Sequence, residues 1–206
     1  TGVSDEYDKE VSKAFEAGVK AQLLDNRLSI NAAVYQTDVD DMQYFNFFAG
    51  PFGLLRVVTN IDDVDIKGYE VDIKWLATDS FTIFGGYGYT DAEIGSYSDR
   101  PYTAGNEVPY VPEYTGHLGF EFRRPIGSDL ELVSRVDGSF VGETWFHPVQ
   151  DELVPNLFTG FGFGQGEFSR QKRDAYQTVN SRHSISAERW TVTLWGKNVT
   201  DEEYVS

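Results

Sequence analysis

The 206-residue chain carries 33 acidic against 17 basic side chains, a net charge of −16, so it lacks the basic surface that phosphate contacts require and no nucleic-acid partner is expected. It has no cysteine, which excludes a disulfide framework and thiolate metal sites. No apolar run approaches the ~18 residues of a membrane helix, whereas a membrane strand needs only about 9–11 residues with alternate positions apolar, and 15% aromatic residues with 20 glycines favour β-structure.

Residues 1–10 are polar and acidic and read as a loose end without the features of a signal peptide. Alternation begins at Val11. Phe15, Ala17, Val19, Ala21 and Leu23 share one face of a strand, opposite Glu16, Gly18, Lys20 and Gln22. Asp25-Asn26 is a turn signal. Leu28, Ile30, Ala32 and Val34 then alternate with Ser29, Asn31, Ala33 and Tyr35. Both arms exceed the usual strand of about 5–6 residues, a length suited to crossing a bilayer at a tilt.

Residues 38–60 read as a long irregular loop holding an acidic cluster, then Tyr44, Phe45, Phe47 and Phe48, then Gly50-Pro51 and Gly53. A third arm places Tyr69, Val71, Ile73 and Trp75 opposite Glu70, Asp72 and Lys74. After the turn at Thr78-Asp79, a fourth places Phe81, Ile83, Gly85, Tyr87 and Tyr89 opposite Thr82, Phe84, Gly86, Gly88 and Thr90. Tyr87 and Tyr89 stand where an aromatic girdle meets the headgroups.

A second long loop is expected over about 91–112. The fifth arm sets Tyr114, Gly116, Leu118, Phe120 and Phe122 against Thr115, His117, Glu121 and Arg123. Across a short connection at 125–129, the sixth sets Leu132, Val136 and Phe140 against Glu131, Arg135 and Asp137. A third long loop, about 142–174, contains Trp145-Phe146-His147-Pro148 and the glycine-rich run 159–166. A less regular arm follows over about 175–187, then the turn Glu188-Arg189, then an arm with Trp190, Val192 and Leu194 on one face and Thr191, Thr193 and Lys197 on the other. Short turns therefore fall on one side and long loops on the other, the asymmetry of membrane barrels.

Three segments resemble one family. Lys197-Asn198-Val199-Thr200-Asp201-Glu202-Glu203-Tyr204 resembles the Asn-Leu-Phe-Asp-x-x-Tyr signature of TonB-dependent outer-membrane receptors, with Val199-Thr200 in place of Leu-Phe. Phe15 to Lys20 followed by Leu24 to Tyr35 resembles that family's Glu-x-Gly-x-Lys hairpin. Asn60 with Ile66-Lys67-Gly68-Tyr69-Glu70-Val71 resembles its Asn…Gly-x-Glu segment. The resemblance implies an all-β antiparallel meander of about eight long transmembrane strands, residues 1–206 forming one segment of a 22-stranded barrel. It implies location in the bacterial outer membrane, contact with lipids and lipopolysaccharide, and energised uptake of a scarce nutrient such as a ferric siderophore. Coupling to the TonB complex would pass through an N-terminal plug; the plug and the last strand are expected to lie outside this chain. No enzymatic activity and no cofactor are expected.

The loop aromatics Tyr44, Phe45, Phe47, Phe48, Trp145 and Phe146 are candidate ligand-binding residues; with Phe158, Phe161 and Phe163, they could equally pack the loops together. Asp38, Asp40, Asp41, Asp62, Asp63 and Asp65 offer hard oxygen ligands but lack the fixed spacing of a calcium loop, and a solvated acidic rim is the competing reading. His117, His147 and His183 are scattered and suggest no metal or catalytic pair. The glycine-rich run lacks dinucleotide-loop spacing. Two alternatives stay open: eight strands closing on themselves as a small outer-membrane barrel, and a soluble β-sandwich that binds carbohydrate.

Overall fold

A computed structural model of the chain describes residues 6–50, 53–154, 162 and 164–205; the side chains of 46–50 and 53–55 fall outside the description. Eight strands form one antiparallel sheet: β1 (Val11–Leu23), β2 (Leu28–Gly50), β3 (Gly53–Thr78), β4 (Phe81–Ser96), β5 (Tyr114–Ile126), β6 (Leu130–Val141), β9 (Tyr176–Ala187) and β10 (Trp190–Gly196). Between β6 and β9, β7 (Thr144–Trp145) and β8 (Lys172–Arg173) pair as a separate two-stranded ribbon.

The sheet is a plain meander, with every long strand paired to its neighbour in the chain. The register stacks the apolar positions of all strands on one face. One row runs Leu23, Leu28, Trp75, Ile83, Phe120 and Val136, and another runs Ala21, Ile30, Ile73, Gly85, Leu118 and Gly138. No second layer covers this face among the described residues: Phe15 is 71% exposed and Leu194 73%. A contiguous apolar face of that extent is stable against hydrocarbon, not water. Tyr69 lies 5.5 Å from Tyr89, and Tyr87 6.3 Å from Tyr114, forming an aromatic belt at its loop end. Two of the polar exceptions on this face pair with each other: Ser134 Oγ meets His183 Nδ1 at 2.7 Å.

The opposite face is polar and faces the interior of the curved wall. Its central rows are Lys20, Asn31, Asp72, Gly86, His117, Ser139 and Thr178, then Gln22, Ser29, Lys74, Phe84, Gly119, Asp137 and Asn180. Arg123 pairs with Glu121 and Glu131, and Arg135 with Asp137.

The turn ends are short. Leu24, Asp25 and Asn26 take positive φ of 52°, 54° and 66° in the first turn, which Asn and Asp tolerate best. Arg27 ties this turn to the next through Leu76 O at 3.1 Å and Asp79 at 3.0 Å.

The expected irregular loop over 38–60 is instead ordered hairpin: β2 and β3 stay in register up to Gly50 opposite Gly53. Apolar and β-branched residues among the acids (Val39, Ile61, Val64, Ile66) continue the ladder, and they are buried or half-buried. β4 likewise runs past Thr90 to Ser96, because Ala92 and Ile94 keep the alternation going. β1 and β10 are the two ends of the strand order and are not partners of each other, so no self-closed eight-strand ring forms among the described residues. Inside a bilayer each outer edge requires a further strand, since every unsatisfied backbone group in hydrocarbon costs several kcal/mol.

Candidate functional site at the loop end of the sheet

Above the aromatic belt the inner face changes character. The positions that carry Tyr35, Gly68 and Thr90 lower down carry Val39, Val64, Ile66, Ala92 and Ile94 here. Val39, Ile61, Val64, Ala92 and Ile94 form a buried cluster with Tyr97 and Val108 from the following loop, against which Met42, Tyr44, Ile66 and Val111 pack. Val39 and Met42 reach one cluster although an unbroken strand would send them to opposite faces. Asp41, with φ of 58°, is where the alternation breaks. Asn60 supports this irregularity by donating to Asp41 O at 2.7 Å, and it exchanges hydrogen bonds with the Asp8 backbone.

The 97–112 segment folds over the lumen as an extension of β4. Ile94 N donates to Asn106 O, Gly105 N to Ile94 O and Val108 N to Ala92 O, at 2.8–2.9 Å. Gly105 sits at φ 88°, which a side chain would strain. A single 3₁₀ turn, Pro101–Thr103, caps the segment; Asp62 accepts from Ser98 N at its start.

The described residues of the next segment, 142–154 and 164–175, clamp onto it. Tyr110 N donates to Trp145 O at 2.7 Å, Asn106 Nδ2 to Pro148 O at 2.9 Å and Gln150 Nε2 to Glu107 O at 2.9 Å. Lys172 pairs with Glu143 at 2.9 Å and lies over the Trp145 ring, and Arg173 donates to Thr144 at 2.9 Å. His147 stacks on Phe168 with ring centres 4.2 Å apart. Its Nδ1 accepts from Val149 N at 3.1 Å, which leaves the proton on Nε2; the 3.4 Å approach of Arg100 Nη1 to Nε2 is then close packing between donors. Burial, with Arg100 adding to it, pushes His147 down to about 4, so it is neutral at pH 7.

The surface built on this clamp is aromatic and cationic. Tyr110 is 67% exposed at a left-handed φ of 67°, and its ring lies 5.6 Å from Phe146. The Arg173 guanidinium is 6.0 Å from the Phe146 ring centre and 4.9 Å from that of Tyr176. Tyr44 is half-buried, its phenol pushed up to about 12 by burial, with Tyr110 and Tyr97 adding and Arg100 opposing. Such a surface, ringed by Tyr110, Phe146 and Arg173, offers flat apolar contact and positive charge to an organic anion.

The six sequence candidates separate. Trp145 is 5% exposed and works as the packed centre of the ribbon. Phe146 is half-buried beside Tyr110, while Phe45 is exposed under Arg56 at 3.7 Å. The backbones of Phe47 and Phe48 pair with Arg56 and Leu55; their side chains, like Phe158, Phe161 and Phe163, lie outside the described residues. Tyr110, Arg100 and Arg173 went unnoticed in the sequence. The Asn106–Tyr110 stretch, where Gly105 and Pro109 bracket an apolar Val108, was the available sign of a folded rather than loose loop. The aspartates at the top of β2 and β3 face one another across the register, Asp38 with Asp65 and Asp40 with Asp63, but no metal-binding group of three or more carboxylates or histidines occurs among the described residues.

A curved meander with a lipid-matched outer face, a polar inner face and a folded cap on its loop side is part of an outer-membrane β-barrel wall. Residues 2–199 match the family model "TonB dependent receptor-like, beta-barrel", and the chain belongs to that family. It is 25% identical over 151 residues, 67% of this chain, to the probable TonB-dependent siderophore receptor PiuA of Acinetobacter baumannii, and 24% identical over 201 residues, 96% of this chain, to the metal-pseudopaline receptor CntO of Pseudomonas aeruginosa. Those alignments cover 19% and 25% of the two relatives, so the chain spans only a fifth to a quarter of their length. In fold it is similar to the ferric yersiniabactin uptake receptor FyuA of Yersinia pestis, with a TM-score of 0.69 at 18% identity, covering 95% of this chain and 26% of that one.

Proposed function

We propose that the chain is the wall and part of the ligand-receiving mouth of a receptor that carries a metal-chelate nutrient, such as a ferric siderophore, inward across the outer membrane. The carrying observation is the interlocked cap: segment 97–112 folds on a buried core, the described residues 142–154 and 164–175 bond to it or to one another, and together they present Tyr110, Phe146 and Arg173, with Tyr44 and Phe45 on the neighbouring hairpin. A loop end serving only to close a barrel needs no such core, whereas a receptor must hold contact groups in place. PiuA, named for siderophore reception, and CntO, named for a metal-pseudopaline complex, support the same class of cargo. Energy would come from the TonB complex through a plug in the remainder of the protein.

The test is uptake. Cells lacking the gene should lose ⁵⁵Fe accumulation from the siderophore concerned and regain it with the intact gene in a TonB-dependent manner. Accumulation that persists without TonB would overturn the reading. Tyr110→Ala with Phe146→Ala should weaken ligand binding at least tenfold while leaving the protein in the outer membrane.

A further inference from the structure

Tyr110 occupies a backbone position that its side chain does not suit. Of the seven non-glycine residues at positive φ among the described residues, five are Asn or Asp, which tolerate the left-handed region, and Leu24 shares the first short turn with two of them. Tyr110, at φ 67°, is the one aromatic in that set. The cause is the turn Val108-Pro109-Tyr110-Val111, closed by Val111 N donating to Val108 O at 3.4 Å. Proline fixes a negative φ at the second position and the third is positive, the pattern of a type II turn. Glycine is the usual residue at that third position, and a bulky side chain there costs about tenfold in the population of the turn.

The bonds that hold the turn do not use the phenol. Val108 anchors it, 2% exposed in the cap core, with its N–H donating to Ala92 O at 2.9 Å. The Tyr110 N–H donates to Trp145 O at 2.7 Å, a bond that any residue but proline can make. Asn106 Nδ2 to Pro148 O and Gln150 Nε2 to Glu107 O fix the same two segments together. Glycine at 110 would keep all of these and relieve the strain. The strain is local to the turn and is the same whatever the rest of the receptor places around it. Strained backbone that its surroundings over-determine marks a place where the side chain acts.

We propose that Tyr110 is the residue that sets affinity at the loop-end surface, its ring held ready by the strained turn for the aryl face of an anionic metal chelate. Phe146, with its ring centre 5.6 Å from that of Tyr110, and the Arg173 guanidinium beyond it continue the contact. A ring already in place loses little freedom when cargo binds, so the strain of the free turn reappears as affinity. This rests on the reading of the loop end as ligand-receiving and deepens it by naming the residue on which binding turns.

The intact outer-membrane protein, purified in detergent, is titrated with the iron(III) complex of 2,3-dihydroxybenzoate, read by quenching of tryptophan fluorescence. Hydrogen exchange is followed over residues 105–111, corrected for intrinsic rates. Tyr110→Gly and Tyr110→Asn, which accept the left-handed angle, should bind the probe roughly tenfold more weakly than the parent while protection at 105–111 stays equal or rises. Tyr110→Ala should bind as weakly and also exchange several-fold faster than Tyr110→Gly, because it keeps the strain without the ring. Tyr110→Phe should retain most of the affinity. Protection that collapses in Tyr110→Gly overturns the proposal, because the ring is then part of the packing that holds the loop. So does probe affinity unchanged in Tyr110→Gly, or a parent that does not bind the probe. These readouts need neither TonB nor energy, so their failure is distinguishable from failure of the uptake reading, which shows as accumulation independent of TonB.

Discussion

Tyr35 of β2 lies across Gly68 of β3, and its hydroxyl meets Thr90 Oγ1 of β4 at 2.6 Å. One side chain thereby links three consecutive strands just where the inner face changes from polar wall to apolar cap. The link depends on the missing side chain of Gly68. A Cβ built there would stand 2.5 Å from the Tyr35 hydroxyl and would also collide with the carbonyl oxygen of Tyr89, which is backbone and cannot swing away. Gly68→Ala should therefore destabilise the barrel by roughly 1–3 kcal/mol, the usual range for overpacking. Tyr35→Phe should cost nearer 1 kcal/mol, the net value of one hydrogen bond. Urea unfolding in detergent micelles gives both values, and a Gly68→Ala protein as stable as the parent would remove the link from the account.

The barrel wall was legible because the period of a membrane strand is a local property. Leu118 faces lipid and His117 faces the lumen for no reason beyond their parity, and the register keeps that parity across β4, β5 and β6. The cap was not legible for the opposite reason. Val39 and Val108 lie far apart in the chain, and their packing with Tyr97 in one cluster is a tertiary fact that the acidic stretch 38–41, expected as loop and found as strand, does not reveal on its own. The same distance hid Tyr110: its importance comes from Phe146 beside it, on another loop.

The alternation can be tested at two nearby positions. Leu118, half-exposed on the outer face near the middle of β5, should not tolerate a cation: Leu118→Arg should cost about 2–4 kcal/mol, the value for a basic side chain near the bilayer midplane. Thr115 lies three residues away on the inner face and borders a luminal concavity. Thr115→Arg should fold nearly as well as the parent. Folding yield into lipid vesicles, read by heat-modifiable mobility on gels, separates the two. Equal yields would mean that the apolar face does not meet hydrocarbon.

The signature around Asn198 acts as a turn clamp. Asn198 sits at a left-handed φ of 46°, its Oδ1 accepts from Glu202 N at 3.1 Å, and its Nδ2 donates to Glu202 O at 2.9 Å. Its backbone N–H donates to Asn180 Oδ1 at 3.1 Å, and Asn180 in turn donates to Asp137 on β6 at 3.1 Å. The turn brings Tyr204 back onto Tyr176 with ring centres 4.0 Å apart. Asn198→Ala loses both side-chain bonds and adds strain, so it should cost roughly 2 kcal/mol. Asn198→Gly, which accepts the backbone angle, should cost less. Asn198→Asp keeps only the acceptor and should fall between parent and alanine variant. If alanine and glycine variants unfold at the same urea concentration, the left-handed angle contributes nothing.

Acid should loosen the cap through His147. Its folded-state pKa of about 4 lies below the ordinary value of about 6.5, because burial opposes the charge and Arg100 repels it. A group depressed in this way stabilises the folded state while neutral. The contribution is fully present above about pH 6.5 and is lost progressively as the pH falls toward 4. Geometry gives the same direction: protonated Nδ1 can no longer accept from Val149 N, and a positive ring would face Arg100. Hydrogen exchange at residues 146–150 should accelerate over that interval relative to exchange in the β5–β6 wall, after correction for intrinsic rates. His147→Gln retains an acceptor without the titrating ring and should flatten the pH dependence. If parent and variant lose protection in parallel, the acid response belongs to other groups at the cap, the first to test being the half-buried Glu107, whose carboxyl is held above its usual range by burial and by Glu143.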